Sequence, residues 1–282
     1  MKLLRYGAPG NERPGLLDEE GRIRDLSGLI GDIDGRFLAE GGLDTLRGAD
    51  LGNLPVAEGT SRLGPCVGGL RSVIAIGLNY SDHAEEAGMA IPEEPIMFMK
   101  VCPPTGPNDP IVIPKESSKT DWEVELGIVV GETARYIDES NALAHVAGYC
   151  LVNDISERAF QLEHGGQWVK GKSSDGFAPI GPWLVTRDEV PDPQRLGMWL
   201  EVDGHRYQDG NTSTMIFGVA TIVSYLSCFL TLHPGDVIAT GTPPGVGMGQ
   251  KPNPVYLRPG NTVRLGIDGL GEQRQECRAW PG

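Results

Sequence analysis

The stretch Asp121-Trp122-Glu123-Val124-Glu125-Leu126-Gly127-Ile128-Val129-Val130 says more about the fold than any other part of this sequence. Its apolar, β-branched run is typical of a buried strand, and the two-residue period of a strand sends Glu123 and Glu125 to the same face. Two buried carboxylates side by side are costly unless a cation or a proton lies between them. A hard divalent metal ion would meet this need, because carboxylate oxygens suit magnesium, calcium or manganese. The alternative is an exposed acidic pair on the solvent face of an edge strand.

The composition favours a mainly β protein of the α+β kind. Forty glycines and 22 prolines separate many short apolar runs within 282 residues, which is typical of turn-rich β structure. We predict strands at residues 3–6, 15–17, 23–25, 73–77, 96–100, 111–113, 121–130, 148–154, 198–202, 236–240, 262–267 and 273–278. Helical patterns are fewer, at residues 139–147, 156–163 and 215–230. Because no β-α-β alternation is present, a Rossmann or barrel architecture is not expected.

The first 68 residues have a character of their own. They combine short strand patterns, acidic turns and an Ala/Leu/Gly-rich stretch, and a Pro/Gly-rich segment follows. This pattern predicts a small N-terminal domain at residues 1–68 and a larger main domain at residues 69–282.

Charge and cysteine content exclude several classes of protein. A formal net charge of -14 argues against a surface for nucleic acid or anionic membrane. The five scattered cysteines contain no Cys-x-x-Cys pair, so neither a disulfide framework nor a thiolate zinc site is expected. No segment has the length of a signal peptide's apolar core or of a membrane span, which predicts a cytoplasmic protein.

Two further segments carry groups suited to catalysis. In Asn79-Tyr80-Ser81-Asp82-His83-Ala84-Glu85-Glu86, His83 and Glu86 are three residues apart and can touch on a helical turn. A carboxylate beside an imidazole raises its basicity and fixes its tautomer, which gives a general base for water. Lys172 lies in a Gly/Pro-framed segment and could stabilise a developing enolate. The alternatives are a surface helix with an inactive histidine and a solvated loop lysine.

A third segment, Val152-Asn153-Asp154-Ile155-Ser156-Glu157-Arg158-Ala159-Phe160-Gln161, places an acid at the end of an apolar strand. Asp154 could point into a site or could simply cap the following helix. Arg158 and Gln161 are three residues apart on that helix and could hold a carboxylate or a keto oxygen.

Together, the order and spacing of these segments resemble the fumarylacetoacetate hydrolase family over about residues 69–282. The three carboxylates that match the metal ligands of the family are Glu123, Glu125 and Asp154. The groups that match its catalytic residues are His83, Glu86 and Lys172. The positions that match substrate contacts are Arg158, Gln161, Thr242 and, with a less defined role, Lys100. The sequence departs from the family pattern at Asp175-Gly176-Phe177, where relatives often carry Asp-Thr-Phe, and in the stretch after Lys100.

The resemblance implies a mixed β-sandwich roll, a magnesium or manganese ion, a homodimer and a small-molecule 2-oxo acid substrate. It implies hydrolysis of a carbon–carbon bond in a 2,4-diketo acid of the acylpyruvate type. His83, polarised by Glu86, would activate a water that attacks the 4-oxo carbon, while the metal and Lys172 stabilise the pyruvate enolate. The overall sequence most resembles bacterial hydrolases of 2,4-diketo-3-deoxy-L-fuconate or L-rhamnonate, which release pyruvate and lactate.

Two other functions fit parts of the pattern. A 2-oxo acid decarboxylase acting on oxaloacetate, or a hydroxymuconate-type isomerase, would keep the metal and the enolate without the water. A metal-stabilised β-sandwich binding module would have no catalysis at all. The His83/Glu86 pair favours hydrolysis, because an enolate can form without a base that activates water. We also predict that the segment from His83 to Pro92 is mobile without ligand and closes over the substrate.

Overall fold

The fold is organised around the acid-bearing strand. A computed structural model describes residues 1–59 and 62–282. Strand β8 (Val124–Val130) is buried at every position, as its Val, Leu and Ile content requires for a strand covered on both faces. The predicted strand 121–130 is interrupted: β7 (Thr120–Asp121) ends before Trp122, and Glu123 lies just ahead of β8. The acid pair is thus at the start of a central strand and not on an exposed edge.

Strand β8 lies within a nine-stranded mixed sheet. In spatial order the strands are β3 (Ile23–Asp25), β2 (Arg13–Leu17), β1 (Lys2–Tyr6), β11 (Ile180–Thr186), β9 (Val146–Asn153), β8, β14 (Val237–Ala239), β4 (Val73–Gly77) and β5 (Ile96–Lys100). All neighbours are antiparallel except β14 and β4, which are parallel.

A second sheet covers β8, β9 and β11. Its strands, in spatial order, are β13 (His205–Asn211), β12 (Gly197–Val202), β15 (Thr262–Ile267), β16 (Gly271–Ala279) and β6 (Ile111–Ile113). Buried and more accessible residues alternate along β12 and along most of β16, so one face of this sheet packs on the first. The pair β7 and β10 (Ser156–Glu157) forms a small ribbon beside the acids. The mainly β, mixed-sheet fold predicted from the sequence is confirmed.

The helices are short and lie around the sheets. They are α1 (Gly35–Ala39), α2 (Gly42–Arg47), α3 (Ser81–Ala87), α4 (Glu139–Ala142), α5 (Arg158–Leu162), α6 (Val169–Lys172) and α7 (Val219–Phe229). The predicted helix 215–230 begins only at Val219, because Gly218 is the extended N-cap. The predicted helix 139–147 ends early, since β9 begins at Val146. Among the described residues, no helix has the length and apolar character needed to cross a bilayer.

The N-terminal strands extend the main sheet. Strand β1 pairs with β11 in the register Leu3 to Leu184, and Leu3 is fully buried in the common core. The predicted domain 1–68 includes residues 60 and 61, which lie outside the described residues. A division of the chain at residue 68 stays a prediction.

Candidate metal and catalytic site

Three acids converge where β8 begins and β9 ends. The antiparallel register pairs Val124 with Asn153, so that Glu123 and Glu125 flank the position where Asp154 follows β9. The Asp154 amide donates to the Glu123 carbonyl at 2.9 Å, which fixes the two chain ends together. One carboxylate oxygen from each of the three acids lies within 4.8 Å of the others. All three side chains are buried.

Buried cations surround these acids. Lys172 Nζ donates to Glu123 Oε2 at 2.5 Å and to Asp154 Oδ2 at 2.7 Å. Lys100, which is fully buried, donates to Asp154 and to the Ile155 carbonyl. Arg158 donates to Glu123 Oε1 at 2.7 Å. Because charges this deep in a protein are stable only when paired, the acids and cations depend on one another.

The charges are distributed unevenly over the three acids. Burial raises the pKa of Glu123, but Lys172 and Arg158 outweigh it and hold that pKa below its ordinary value. Burial raises the pKa of Glu125 well above its ordinary value, and the charges of Asp154 and Glu123 add to this increase. Of the two oxygens of Glu125, Oε2 accepts the Gly241 amide at 2.8 Å. Glu125 is therefore the acid that needs an additional positive charge in order to ionise.

This donor set fits a hard divalent cation. Each of the three carboxylates places one oxygen within 4.8 Å of the other two, and oxygen is the donor element that magnesium and manganese prefer. Burial, together with the charges of Asp154 and Glu123, raises the pKa of Glu125, and a cation bound at this point would oppose both effects. Glu123, Glu125 and Asp154 would hold such an ion, as the sequence predicts.

A histidine–glutamate pair forms a second group of functional side chains. His83 and Glu86 lie on α3, and His83 Nδ1 is 3.0 Å from Glu86 Oε2. The other Glu86 oxygen accepts the Gly245 amide at 2.9 Å. With Nδ1 occupied by the carboxylate, Nε2 is the nitrogen available to accept a proton from water. The predicted dyad is thus present geometrically.

One cavity of about 490 Å³ joins the two groups. Of the ten residues predicted as functional, eight line it: His83, Glu86, Glu123, Glu125, Arg158, Gln161, Lys172 and Thr242. Asp154 and Lys100 lie behind this lining, with no exposed surface. The remaining wall is largely apolar.

The predicted substrate contacts have partners inside the protein. Arg158 is bonded to Glu123 and, through Nη1, to Gln161 Oε1 at 3.0 Å. The Thr242 hydroxyl donates to the Val124 carbonyl at 2.8 Å. These bonds give the side chains a role in holding the acid-bearing strand, and substrate contact by them stays a prediction.

The structure adds a residue that the sequence reasoning did not single out. Asp121 is fully buried. It accepts Arg158 Nε at 2.8 Å and the amides of Gly247 and Met248 at 2.6 and 3.0 Å. It therefore ties the cavity-lining loop at 246–249 to the arginine that holds Glu123. Its position in the apolar stretch, two residues before Glu123, was the signal available in the sequence.

Comparison with known proteins places this chain in a family. The family model described as Fumarylacetoacetate (FAA) hydrolase C-terminal matches residues 72–278. A Burkholderia ambifaria protein, provisionally named a hydrolase, is 64% identical over 282 residues, which is 99% of each chain. The fumarylacetoacetate hydrolase of Exiguobacterium antarcticum has a similar structure, with a TM-score of 0.88 and 37% identity over 99% of this chain and 100% of that one.

A second solved structure adds a metal. The maleylpyruvate hydrolase of Sphingobium sp. SYK-6, in complex with manganese(II) and pyruvate, has a TM-score of 0.81 and 29% identity over 99% of each chain. The shared fold, the family match over most of the chain and the acidic cluster agree with one another. This chain belongs to the fumarylacetoacetate hydrolase family.

Proposed function

We propose that this enzyme hydrolyses a carbon–carbon bond in a 2,4-diketo acid of the acylpyruvate type, with magnesium or manganese as cofactor. The observation that carries the proposal is the presence of the three-acid cluster and the His83/Glu86 pair in one cavity. The acids would hold a divalent cation, to which a 2-oxo acid can bind. The His83/Glu86 pair supplies the base for water that hydrolysis needs.

The chain's own residues perform the proton transfers in this scheme. A divalent cation at the three acids would bind the carboxylate and 2-oxo oxygens and stabilise negative charge on the enolate. His83 Nε2 takes a proton from a water whose oxygen bonds to the 4-oxo carbon, and Glu86 stabilises the resulting imidazolium. The bond between carbons 3 and 4 then breaks, which gives a carboxylic acid and the enolate of pyruvate. The electron pair of that bond stays with carbon 3, which finally accepts a proton.

Lys172 is positioned to assist the departure of the enolate. Its ammonium group lines the cavity and contacts Glu123 and Asp154. Burial lowers its pKa, but the neighbouring Asp154 and Glu123 outweigh this effect and raise it, so the lysine stays charged. A fixed positive charge on a buried side chain stabilises a developing oxyanion strongly. Gln161, whose amide nitrogen has no protein partner among the described residues, is free to donate to the substrate.

Within this class, a 2,4-diketo-3-deoxy sugar acid that yields pyruvate and lactate stays a prediction from sequence resemblance. Several hydroxyl groups on such a substrate would need polar partners, and the cavity wall away from the acids includes Met89, Phe98, Leu162 and Trp168. An acylpyruvate with an apolar acyl chain fits these surroundings better, because buried hydroxyls without partners are costly.

The reaction class is tested by comparing acetylpyruvate with oxaloacetate, for wild type and His83→Ala, in the presence of magnesium or manganese. Hydrolysis predicts that wild type forms pyruvate and acetate and that the variant loses this activity. Decarboxylation of oxaloacetate at equal rates in both proteins, without cleavage of acetylpyruvate, would support the decarboxylase. A metal-dependent rise in thermal stability without turnover of any 2-oxo acid would support a binding module.

We also propose that the enzyme is a homodimer. Strand β5 forms one edge of the nine-stranded sheet, and Met97 and Val101 on and beside it are exposed. Exposed apolar residues at a sheet edge are commonly covered by a partner. Light scattering coupled to gel filtration would measure the mass, and a single-chain mass of 30.3 kDa would contradict the proposal.

A further inference from the structure

We infer that Gln208 is a positioning residue, which holds the acid-bearing end of β8 and the loop at residues 241–245 in a fixed relative position. The inference rests on the proposed metal cofactor, and it names a residue outside the ten predicted from the sequence. Gln208 lies in the middle of β13 and is fully buried. A buried amide group is stable only when its hydrogen bonds are made, so its partners show what it holds.

Three hydrogen bonds close a ring between Gln208, β8 and the loop. The Val124 amide donates to Gln208 Oε1 at 3.0 Å. Gln208 Nε2 donates to Thr242 Oγ1 at 2.8 Å, and the Thr242 hydroxyl donates to the Val124 carbonyl at 2.8 Å. The second hydrogen of Nε2 goes to the Pro243 carbonyl, also at 2.8 Å. Both ends of the glutamine amide are thus bonded, and so are both backbone polar groups of Val124.

The ring takes the place of backbone pairing. Strand β14 pairs with residues 127–129 of β8, and Val124 lies beyond the end of that pairing. Because buried backbone groups need partners, the side chains of Gln208 and Thr242 supply here what a neighbouring strand would supply. The Val124 amide can only donate and the Pro243 carbonyl can only accept, so the amide of Gln208 has one orientation.

Both acids that flank Val124 depend on this ring. Glu123 and Glu125 are its two neighbours in the chain, so a backbone fixed at Val124 also fixes where these two side chains begin. Each must keep one oxygen near the same point if the cluster is to hold a cation. Hydrogen bonds behind metal ligands orient them and raise the affinity for the metal.

The loop at the other side of the ring contacts both groups of functional side chains. The Gly241 amide donates to Glu125 Oε2 at 2.8 Å, and the Gly245 amide donates to Glu86 Oε1 at 2.9 Å. Gln208 bonds the loop between these two glycines. The same glutamine therefore aligns the acids and sets the position of the histidine–glutamate pair relative to them.

Close packing between β13 and the loop supports this assignment. A Cβ on Gly245 would lie 2.0 Å from the Tyr207 carbonyl oxygen, and a Cβ on Gly210 would lie 2.4 Å from Cβ of Pro243. At such distances glycine is needed, because another backbone approaches too closely for a side chain. Gln208 lies between these two contacts, so its hydrogen bonds join a strand and a loop that already touch.

The test measures manganese(II) binding by calorimetry in wild type and in Gln208→Met. Methionine has nearly the length and volume of glutamine but can neither accept the Val124 amide nor donate to the loop. The dissociation constant for manganese is expected to rise about 10-fold, as for other groups that orient metal ligands. With manganese at saturation, kcat for acetylpyruvate is expected to fall about 10-fold, because the acids and the base are no longer aligned.

Gln273→Met is the matched control. Gln273 is buried on β16 of the same sheet, and its Nε2 donates to the backbone carbonyls of Leu151 and Gly181 at 2.8 and 2.9 Å. The variant loses a comparable set of buried hydrogen bonds, but at β9 and β11 instead of β8. It is expected to lower the melting temperature as Gln208→Met does, and to keep the manganese dissociation constant within twofold of wild type.

A second variant tests the same ring in case Gln208→Met does not fold. Thr242→Val replaces the hydroxyl by a methyl group at nearly the same volume and breaks two of the three bonds of the ring. Its manganese dissociation constant is also expected to rise. In the double variant the two effects should be less than additive, because both changes break one ring, and fully additive effects would contradict it.

The affinity measurement separates this inference from the proposed function, since manganese binding requires no turnover. A wild type that cleaves no acylpyruvate would refute the proposed hydrolysis, and the dissociation constants would still decide the role of Gln208. An unchanged manganese affinity in Gln208→Met and Thr242→Val would overturn the inference. So would an equal loss of affinity in Gln273→Met, because the effect would then follow from any loss of buried hydrogen bonds.

Discussion

The site has two halves, the three-acid cluster and the His83/Glu86 pair, and they differ in burial and in the number of charged partners. The three acids lie at the ends of two central strands, with Asp154 fully buried and Glu125 nearly so, and every charged neighbour is paired. The His83 and Glu86 side chains are 14% and 21% exposed and lie on the seven-residue helix α3. Among the described residues, the Gly245 amide is the hydrogen-bond donor to Glu86 Oε1.

The difference indicates where the site is rigid and where it can move. Acids between paired sheet strands cannot shift without breaking buried ion pairs, so the metal half is formed before any ligand arrives. Helix α3 ends at Ala87 and is capped by Gly88 in the left-handed conformation, and Met89 and Ile91 beyond it are more than half exposed. A segment with so few buried contacts opens at low free-energy cost. The mobility of residues 83–92 without ligand, and their closure over a substrate, stay predictions.

The largest effect is expected from Glu125→Gln, which removes an ionisable carboxyl group from the three-acid half of the site and keeps an oxygen for the Gly241 amide. Activity should fall on the order of 10⁴-fold, because the metal and its stabilisation of the enolate are lost together. The melting temperature without metal should not fall, since burial already favours the neutral form of this residue. Calorimetric metal titration and kinetics measure both effects. Glu132→Gln, on the surface, is the control, and activity within tenfold of wild type would contradict the assignment.

The other half is tested by His83→Gln. Loss of the base for water should lower kcat by about 10³-fold, within the usual range of general base catalysis. Metal affinity and melting temperature should stay close to wild type, because His83 contacts none of the three acids. A parallel loss of metal binding would show that the two halves are not independent.

Asp121→Asn addresses the connection between the halves. The buried Arg158 would keep Glu123 but lose its partner at Nε, and a broken buried ion pair costs about 3 kcal/mol in the free energy of unfolding. Asp44→Asn is the matched control, because Asp44 pairs with Arg47 at an exposed position, where such a pair is worth less than about 1 kcal/mol. Chemical denaturation measures both. Equal effects would show that Asp121 has no special structural role.

Asp121 also shows what the sequence could and could not predict. Local patterns predicted the strands whose apolar runs are continuous, such as Val73–Gly77 and Ile111–Ile113, which match the structure in both bounds. Strand β11 was missed because Gly181 and Pro182 interrupt it. Strand β13 was missed because its sequence, His205–Asn211, is largely polar. These strands form through pairing with distant partners, and single-segment patterns do not contain that information.

The same limit applied to the prediction of the site from the sequence. Residues with chemical character in a characteristic order, such as the acids and the dyad, could be proposed from the sequence. Their partners could not, because Lys100 contacts Asp154 across 54 residues and Gly245 contacts Glu86 across 159. Lys172, for which a solvated loop lysine was the alternative, is the last residue of the short helix α6 and is buried. Contacts of this kind depend on the three-dimensional packing of the sheets.

The pH dependence of stability should report the raised pKa of Glu125 within the three-acid cluster. The pKa of Glu125 in the metal-free protein lies well above its ordinary value. The neutral side chain therefore contributes to folding stability below the pKa of the unfolded state, and this contribution is lost as pH rises through the pKa of the folded state. Metal-free stability should therefore decline as pH increases above about 4.3, by at most about 1.4 kcal/mol per unit. Stabilisation by magnesium or manganese should grow over the same range, because binding requires the ionised form. Glu125→Gln should remove this dependence, and an unchanged profile in that variant would contradict the explanation.

The smallest effect tests the contact between the loop and the dyad. A Cβ on Gly249 would lie 2.9 to 3.1 Å from the Glu86 carboxyl group, so Gly249→Ala should displace that carboxylate by a few tenths of an ångström and move His83 with it. We expect kcat to fall about three- to tenfold, because catalysis is sensitive to small errors in position. Metal affinity should not change, since no acid of the cluster contacts Gly249. Gly28→Ala is the control, as nothing lies within 4 Å of a Cβ at that position. A fall in kcat of equal size in both variants would show that any glycine-to-alanine change has this effect. No change in Gly249→Ala would mean that the His83/Glu86 pair tolerates the displacement and adjusts when the substrate binds.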